Sequence, residues 1–344
     1  MANERMEYLY SKLSGFSIYA VPAGELDAAG TAGTLTLTDI RSRGERKYRA
    51  FAAGTRKEES SAARAVWLAG IIQNPVPGLS FDWPLDYIEA ERPEGVVGWL
   101  VYRGTEHRRL KPIRELLYQP GMSRVLDWRN PFIITVSRNL LTAVAALHAN
   151  GFIYNDFSIH DILYHPDTGE VLLKFHRSIR KSGSRTPYDT VDCTDISPEF
   201  APPYVYDSGA YDGFLSRATD GFQMTALLFR LMVGRLPYEG RDLMSYGTVF
   251  DPEFDTDENA HKYYFQHYHQ YPHFVFDEND ETNALSATSD NDLPRERWGA
   301  LPEDVQRAFQ RSLCQAAAEH PSAEYAPAEW LEIVARLEKL GWKA

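Results

Sequence analysis

Two carboxylates, Asp156 and Asp161, stand in the polar stretch GFIYNDFSIHDIL at 151–163. A carboxylate in such a loop can take a proton from a hydroxyl, and a second one can ligate a hard cation such as magnesium. The same groups can equally do no more than accept hydrogen bonds from the loop itself. Two basic stretches are the next candidates. Arg177, Arg180, Lys181 and Arg185 are interleaved with Ser178, Ser182, Ser184 and Thr186, and Arg108, Arg109, Lys111 and Arg114 form the other stretch. In an acidic chain either can receive an acidic or phosphorylated peptide, and either can be a solvated face. His261, His267, His269 and His273 cluster in HKYYFQHYHQYPH. No cysteine or closely spaced carboxylate completes a metal site there, so no metal is expected, and the aromatic content suits a docking surface.

These residues need elements to position them. The chain up to about residue 103 is strand-rich. TLTLTDI at 34–40 alternates with the period of a half-buried strand, and GERKYRAFAA at 44–53 follows as another. SSAARAVWLAGII reads as a helix. FDWPLDYIEA and GVVGWLVYR read as two strands around a loop. From 104 to 344 the pattern is helical. Asn130-Pro131 starts a helix whose stripe is Ile133, Val136, Leu140, Val144 and Leu147, and Asn150-Gly151 stops it. A second helix begins near Asp220 and carries Phe222, Ala226, Phe229 and Val233. A third starts at Leu301-Pro302 with Val305, Phe309 and Leu313. The last carries Trp330, Val334 and Leu337. Residues 250–292 are acidic and rich in Tyr, His and Asn, and are expected to form a surface insertion.

Composition narrows the function. The chain has 344 residues, 44% hydrophobic, with a formal net charge of −12. That charge argues against nucleic acid as a partner. Two cysteines, Cys193 and Cys314, without metal-type spacing fit a reduced cytoplasm. MANERMEYLY carries no basic start followed by an apolar core, no run reads as long enough to span a bilayer, and no membrane role is expected.

In order, these motifs resemble the protein-kinase superfamily. ALHANGFIYNDFSIHDILYHPDTGEVLLKF is similar to the kinase series of helix, catalytic loop and metal-binding strand. SPEFAPP at 197–203 resembles the end of an activation segment, and ATDGFQMTALLFRLMVGRLPYEG the long helix that follows. The resemblance implies an α+β, bilobal protein-kinase-like fold with a small β-rich N-lobe, 1–103, and a larger helical C-lobe, 104–344. It places Asp156 at the catalytic-base position and Asp161 where a metal-ligating Asn belongs. Asp220 is placed as the residue that braces the loop from the first turn of its helix. The pieces FDWPLDYI, GVVGWLVYRG, YPHFVFDENDETNA and RWGALPEDVQRAF further resemble a bacterial kinase-like group associated with phosphatase or von Willebrand-type partners.

The departures from that pattern carry the functional reading. Lys174-Phe175-His176 stands where Asp-Phe-Gly would hold magnesium. An ammonium there repels a metal. It can instead contact phosphate directly, or pair with Asp156 or Asp161 and close the site, and the pairing is favoured. AGELDAAGTAGT offers Gly24, Gly30 and Gly33 but no phosphate-cradling glycine pattern. The strand-three lysine position falls on Arg49, or on Lys47, with Glu58 or Glu59 as a helix partner. A buried Glu–Arg pair of kinases is replaced at both places, Tyr204 and Tyr325. The expectation is a pseudokinase without cofactor, acting through a cytoplasmic protein partner that is acidic or phosphorylated. The alternative is a divergent Ser/Thr kinase or other phosphotransferase that uses ATP with magnesium through Asp156 and Asp161. A third reading is a nucleotide sensor.

Overall fold

The computed structural model describes residues 6–11, 18–22, 34–38, 47–52, 61–76, 78, 80–90, 95–102, 109–118, 121, 124–176, 178–182, 197, 199–203, 216–241, 273–314 and 326–341. The chain divides into two compact units. One is Met1–Arg109 with Lys174–Arg177, and the other is Leu110–Leu173 with Ser178–Ala344.

The first unit is built on one antiparallel sheet. Its strands are β1 (Met6–Ser11), β2 (Ile18–Pro22), β3 (Thr34–Thr38) and β4 (Lys47–Ala52). After helix α1 (Ser61–Ile72) come the two-residue strand β5 (Phe81–Asp82), then β6 (Asp86–Ala90) and β7 (Gly95–Tyr102). The six-stranded order is β2-β1-β6-β7-β4-β3. Register is set by pairs such as Leu9↔Ala90, Tyr48↔Tyr102 and Thr36↔Arg49, with an irregularity between Ile88 and Glu89. FDWPLDYIEA, expected as one strand, is two. Pro84 lies in the break, where a residue without an N–H cannot continue a ladder. α1 packs on β6 and β7 and buries Leu68 and Ile71.

The second unit is helical with small sheets. β8 (Lys111–Pro112) leads into α2 (Ile113–Tyr118), and α3 (Pro131–Ala149) follows. β9 (Phe152–Ile153), β10 (Ile162–Tyr164), β11 (Val171–Lys174) and β12 (Arg180–Lys181) bracket the polar loop. β10 pairs antiparallel with both β8 and β11, and β12 pairs with β9. α3 starts as its residues dictate: the Asn130 side chain accepts the Phe132 N–H at 3.0 Å, and Pro131 follows the cap. It ends before Gly151, whose φ of 81° is left-handed. By length and composition this 19-residue helix could cross a bilayer, contrary to the expectation that no run is long enough. Its stripe from Ile133 to Leu147 is instead buried within the unit, where α3 packs against α4 (Arg217–Val233) and α7 (Pro327–Gly341).

α4 begins at Arg217, three residues before the expected start, because Ser216 and Thr219 form a reciprocal cap. It is buried on nearly every side, the pattern of a central helix. Its end is fixed twice. Gly234 takes a φ of 84°, and a side chain there would collide with the guanidinium of Arg297. Arg297 is 2% exposed, lies 3.6 Å from the Asp127 carboxylate and donates to the Val233 carbonyl at 3.3 Å. Arg129 grips the same carboxylate with two nitrogens.

The expected surface insertion at 250–292 is anchored in the core at a few points of its described part, 273–291, although much of that part is exposed. Phe274 is fully buried, and Val275 and Leu285 nearly so. The buried Asn283 amide donates to the carbonyls of Tyr238 and His273 at 2.8 Å each. Acidity does not by itself mark a surface segment, because a short polar stretch can carry two or three anchors into a core. Residues 250–272 lie outside the described residues. Around Phe274 the rings of Phe229, Phe276 and Trp298 gather. Phe309 of α6 (Glu303–Leu313) joins Phe229 at 5.4 Å and Trp330 at 4.7 Å. α5 (Asp292–Ala300), which supplies Trp298, was not anticipated as a helix.

Phe274→Ala is therefore expected to destabilise the protein by about 3–5 kcal/mol in urea denaturation, the cost of emptying a core aromatic site. A change within about 0.5 kcal/mol would return the segment to the surface.

Candidate functional site

The polar loop at 154–161 is held from beneath by α4. Asp220, in the first turn of α4, is 0% exposed. Its Oδ2 accepts the Tyr154 N–H at 2.7 Å and lies 2.8 Å from His148 Nε2. Its Oδ1 accepts the Asn155 N–H at 2.7 Å. A helix N-terminus favours negative charge, so this carboxylate stands where the helix supports it. One turn on, Gln223 donates to the Asn155 carbonyl at 2.7 Å and accepts the Phe157 N–H at 3.2 Å. Asn155 sits at φ 67°, a left-handed position that Asn tolerates, and its amide donates to the Ser178 carbonyl at 2.7 Å. Tyr154 and Phe157, both 0% exposed, meet edge to face at 5.4 Å. Backbone groups on both sides of Asp156 are thus tied to one helix.

Asp156 itself keeps part of its surface exposed, and its Oδ1 accepts the Ser197 N–H at 2.9 Å. Burial pushes its carboxyl up to about 7. The Ser197 bonds oppose that shift, and the nearby charges of Asp161 and Glu199 reinforce it. Asp161 is half-buried, and its N–H donates to the Ser158 carbonyl at 3.0 Å. Glu199 was not singled out by sequence, yet its carboxyl is likewise pushed up to about 7 by burial, with Arg230 acting the other way. Arg230 donates to the carbonyls of Gly234 and Leu117 and lies 5.0 Å over the Tyr118 ring. Burial and Glu199 raise the Tyr118 hydroxyl, while Arg230 and Arg114 lower it.

Lys174 closes β11 and belongs, with residues through Arg177, to the first unit. Its neighbour Phe175 is buried there, stacked on Trp67 of α1 at 5.6 Å and edge-on to Trp83 at 5.7 Å. Trp83 Nε1 donates to the Ile71 carbonyl, which pins that ring to α1. Arg49 and Lys47 lie on β4, Arg49 opposite Thr36 and Val101 and Lys47 opposite Thr38. Gly30, Gly33, Glu58, Glu59, Tyr204 and Tyr325 lie outside the described residues, as do Arg177 and Arg185.

The basic patch of four charges needs correction at Arg180. That residue is 6% exposed on β12, opposite Ile153, and its guanidinium donates to the Ile179 carbonyl at 2.9 Å. Strand pairing turned the side chain inward, which a count of charges does not reveal. Lys181 is exposed. In the second basic stretch Lys111 is exposed and pairs with Glu115 at 2.7 Å. Of the four histidines, His273 bonds to Asp280, whose carboxyl is held below its usual range by the Thr282 backbone and hydroxyl. The other three lie outside the described residues. Among the described residues no group of three or more His, Cys, Asp or Glu is placed to hold a metal ion.

Sequence reasoning found Asp156, Asp161 and Asp220 but missed His148, Asn155, Ser197, Glu199 and Gln223 as parts of the site. Asn155 alone carried a local signal, as the residue type best suited to a left-handed backbone. The others are brought in from distant segments.

No protein-family model matches this chain. The maternal embryonic leucine zipper kinase of Xenopus laevis is 28% identical over 107 residues, 31% of this chain and 16% of that protein. The serine/threonine-protein kinase ppk27 of Schizosaccharomyces pombe is 28% identical over 152 residues, 40% of this chain and 34% of that protein. The chain therefore spans well under two thirds of the curated relatives it matches. A rhoptry kinase from Toxoplasma gondii matches in structure with a TM-score of 0.50 at 12% identity, over 99% of this chain and 84% of that one. The fold is the α+β protein-kinase-like fold.

Two outcomes follow from the site's geometry. Asp220→Ala strands two buried loop N–H groups and should cost about 3 kcal/mol or more in denaturant unfolding. Asp156 behaves oppositely. Its folded value of about 7 lies above the ordinary value of an aspartate, 3.8, so folding favours the protonated form. The stability present below about pH 4 is lost as pH rises toward 7. Asp156→Asn should therefore be more stable than the parent at pH 8, by about 2 kcal/mol after allowance for partial exposure, with the gap closing toward pH 4. Denaturant titrations at the two pH values read this directly.

Proposed function

We propose that this chain is a pseudokinase: a protein-kinase-like fold that works by binding and regulation rather than by phosphoryl transfer. The observation that carries the reading is the register at the end of β11. Lys174 ends β11, and the next residue, Phe175, is buried against Trp67 and Trp83, which supports reading Lys174 at the place where a kinase carries its metal-binding carboxylate. Phosphoryl transfer depends on a metal that neutralises the phosphates. A lysine at that place fits neither a magnesium ion nor a magnesium-bound nucleotide, and no cofactor is proposed.

The partner in this reading is a cytoplasmic protein of acidic or phosphorylated character, met in part by Lys181. The likeness of several segments to a bacterial kinase-like group with phosphatase or von Willebrand-type partners points the same way.

A second reading has an observation in its favour. The Asp156 carboxyl, pushed up to about 7, suits a general base that takes a hydroxyl proton near neutral pH, and Asp161 stands in the same loop. On this reading the chain is a divergent Ser/Thr kinase or another phosphotransferase.

Calorimetric titration with ATP, with and without magnesium, separates the two. The pseudokinase reading expects no magnesium-dependent binding at millimolar nucleotide. Micromolar, metal-dependent affinity would overturn it in favour of the transferase.

A further inference from the structure

Ser197 and residues 199–203 lie far from Asp156 in sequence and are seated in the helical unit. Phe200 is 1% exposed and Ala201 4%. The Phe200 N–H closes a turn on the Ser197 carbonyl at 3.3 Å, and Glu199 lies in the field of Arg230. At the leading edge of this segment the Ser197 N–H meets Asp156 Oδ1 at 2.9 Å. Asp156 is itself held on both flanks by Gln223, through the Asn155 carbonyl and the Phe157 N–H. Gln223 is 0% exposed, and each end of its amide is used. An apolar side chain of the same length would fill the space but hold neither peptide group.

We propose that Gln223 and Asp156 form a two-step latch that holds Ser197, and with it residues 199–203, on the helical unit, with Gln223 as the positioning residue and Asp156 as the acceptor. The chain of bonds runs from the central helix α4, through the peptide groups on either side of Asp156, to the Ser197 N–H. Without Gln223 the backbone around Asp156 gains freedom, and a hydrogen bond that depends on direction weakens with it. The latch thus gives Asp156 work that requires no nucleotide, and it holds under either functional reading.

The latch predicts coupling between sites that do not touch. Amide hydrogen exchange of the full chain, followed at Ser197, Glu199, Phe200 and Ala201, tests it. Asp156→Asn keeps a side-chain oxygen acceptor and should leave exchange within about threefold of the parent. Asp156→Ala removes the acceptor and should speed exchange about tenfold, the equivalent of one charge-assisted hydrogen bond. Gln223→Met should speed exchange at Phe157 and also, several-fold, at 197–201, although Gln223 does not bond to that segment. Acceleration confined to Phe157 would make Gln223 merely structural and overturn its positioning role. Equal exchange in Asp156→Asn and Asp156→Ala would overturn the acceptor role. If Gln223→Met fails to fold, Gln223→Glu takes its place. It keeps the acceptor for Phe157 but loses the amide donor to the Asn155 carbonyl, so exchange should quicken several-fold at Ser197, Glu199, Phe200 and Ala201 with little change at Phe157, and unchanged exchange at those four residues would overturn the positioning role.

Discussion

One buried carboxylate organises the helical unit. Asp220 has no surface exposure and takes two loop N–H groups, with His148 Nε2 within hydrogen-bonding distance. A buried charge is tolerated only when its lone pairs are occupied, and here they are occupied by the loop that the helix must hold. The arrangement works in both directions. The loop backbone, which no sheet or helix satisfies, finds its acceptors in α4. α4 in turn gains a reason to carry a charge in its buried first turn. Removing the loop would strand Asp220, and removing Asp220 would strand the loop.

The same unit contains a second buried ionic arrangement of a different kind. Burial pulls the Arg297 guanidinium down from its usual range, and Asp127 acts against that. Burial alone would push Asp127 up, but the bonds from Arg129 hold it below the usual carboxylate range. Such pairs contribute little net stability once desolvation is counted, but breaking one side is costly. Arg297 also fills the space beside Gly234, so the α4 terminus, the loop before α3 and helix α5 are specified together. The rigid end of α4 is this cluster, and its other end is the Asp220 cage. Between them lies the Phe229, Phe309 and Trp330 core, in which the Trp330 indole donates to Thr225 at 2.9 Å.

Around Asp156 the balance is less symmetrical. Asp156 and Glu199 both lie where burial disfavours charge, and the nearby Glu199 pushes Asp156 further in the same direction. Ser197 and Arg230 offset part of that cost. A site built this way keeps its architecture while its charge responds to small changes near neutral pH. That property serves a binding fold as readily as a catalytic one.

Local sequence determined the regular elements, because their causes are local. The stripe of α3, its Asn130 cap and its Gly151 stop are read within a few residues, as are the Thr-Leu alternation of β3 and the Gly234 terminus of α4. The positions of Asp156, Asp161, Lys174 and Asp220 were legible through motif order. Tertiary structure alone decided the rest. Arg180 counts as a surface charge until β12 pairs with β9 and turns it inward. The acidic tract ending near residue 292 looks solvated until Phe274 and Asn283 are seen inside the core. Gln223, Glu199 and Ser197 lie inside recognisable motifs, but nothing local signals their part in the site. Their partners lie 30 or more residues away, and a hydrogen bond between distant segments leaves no period, cap or turn in the chain that forms it.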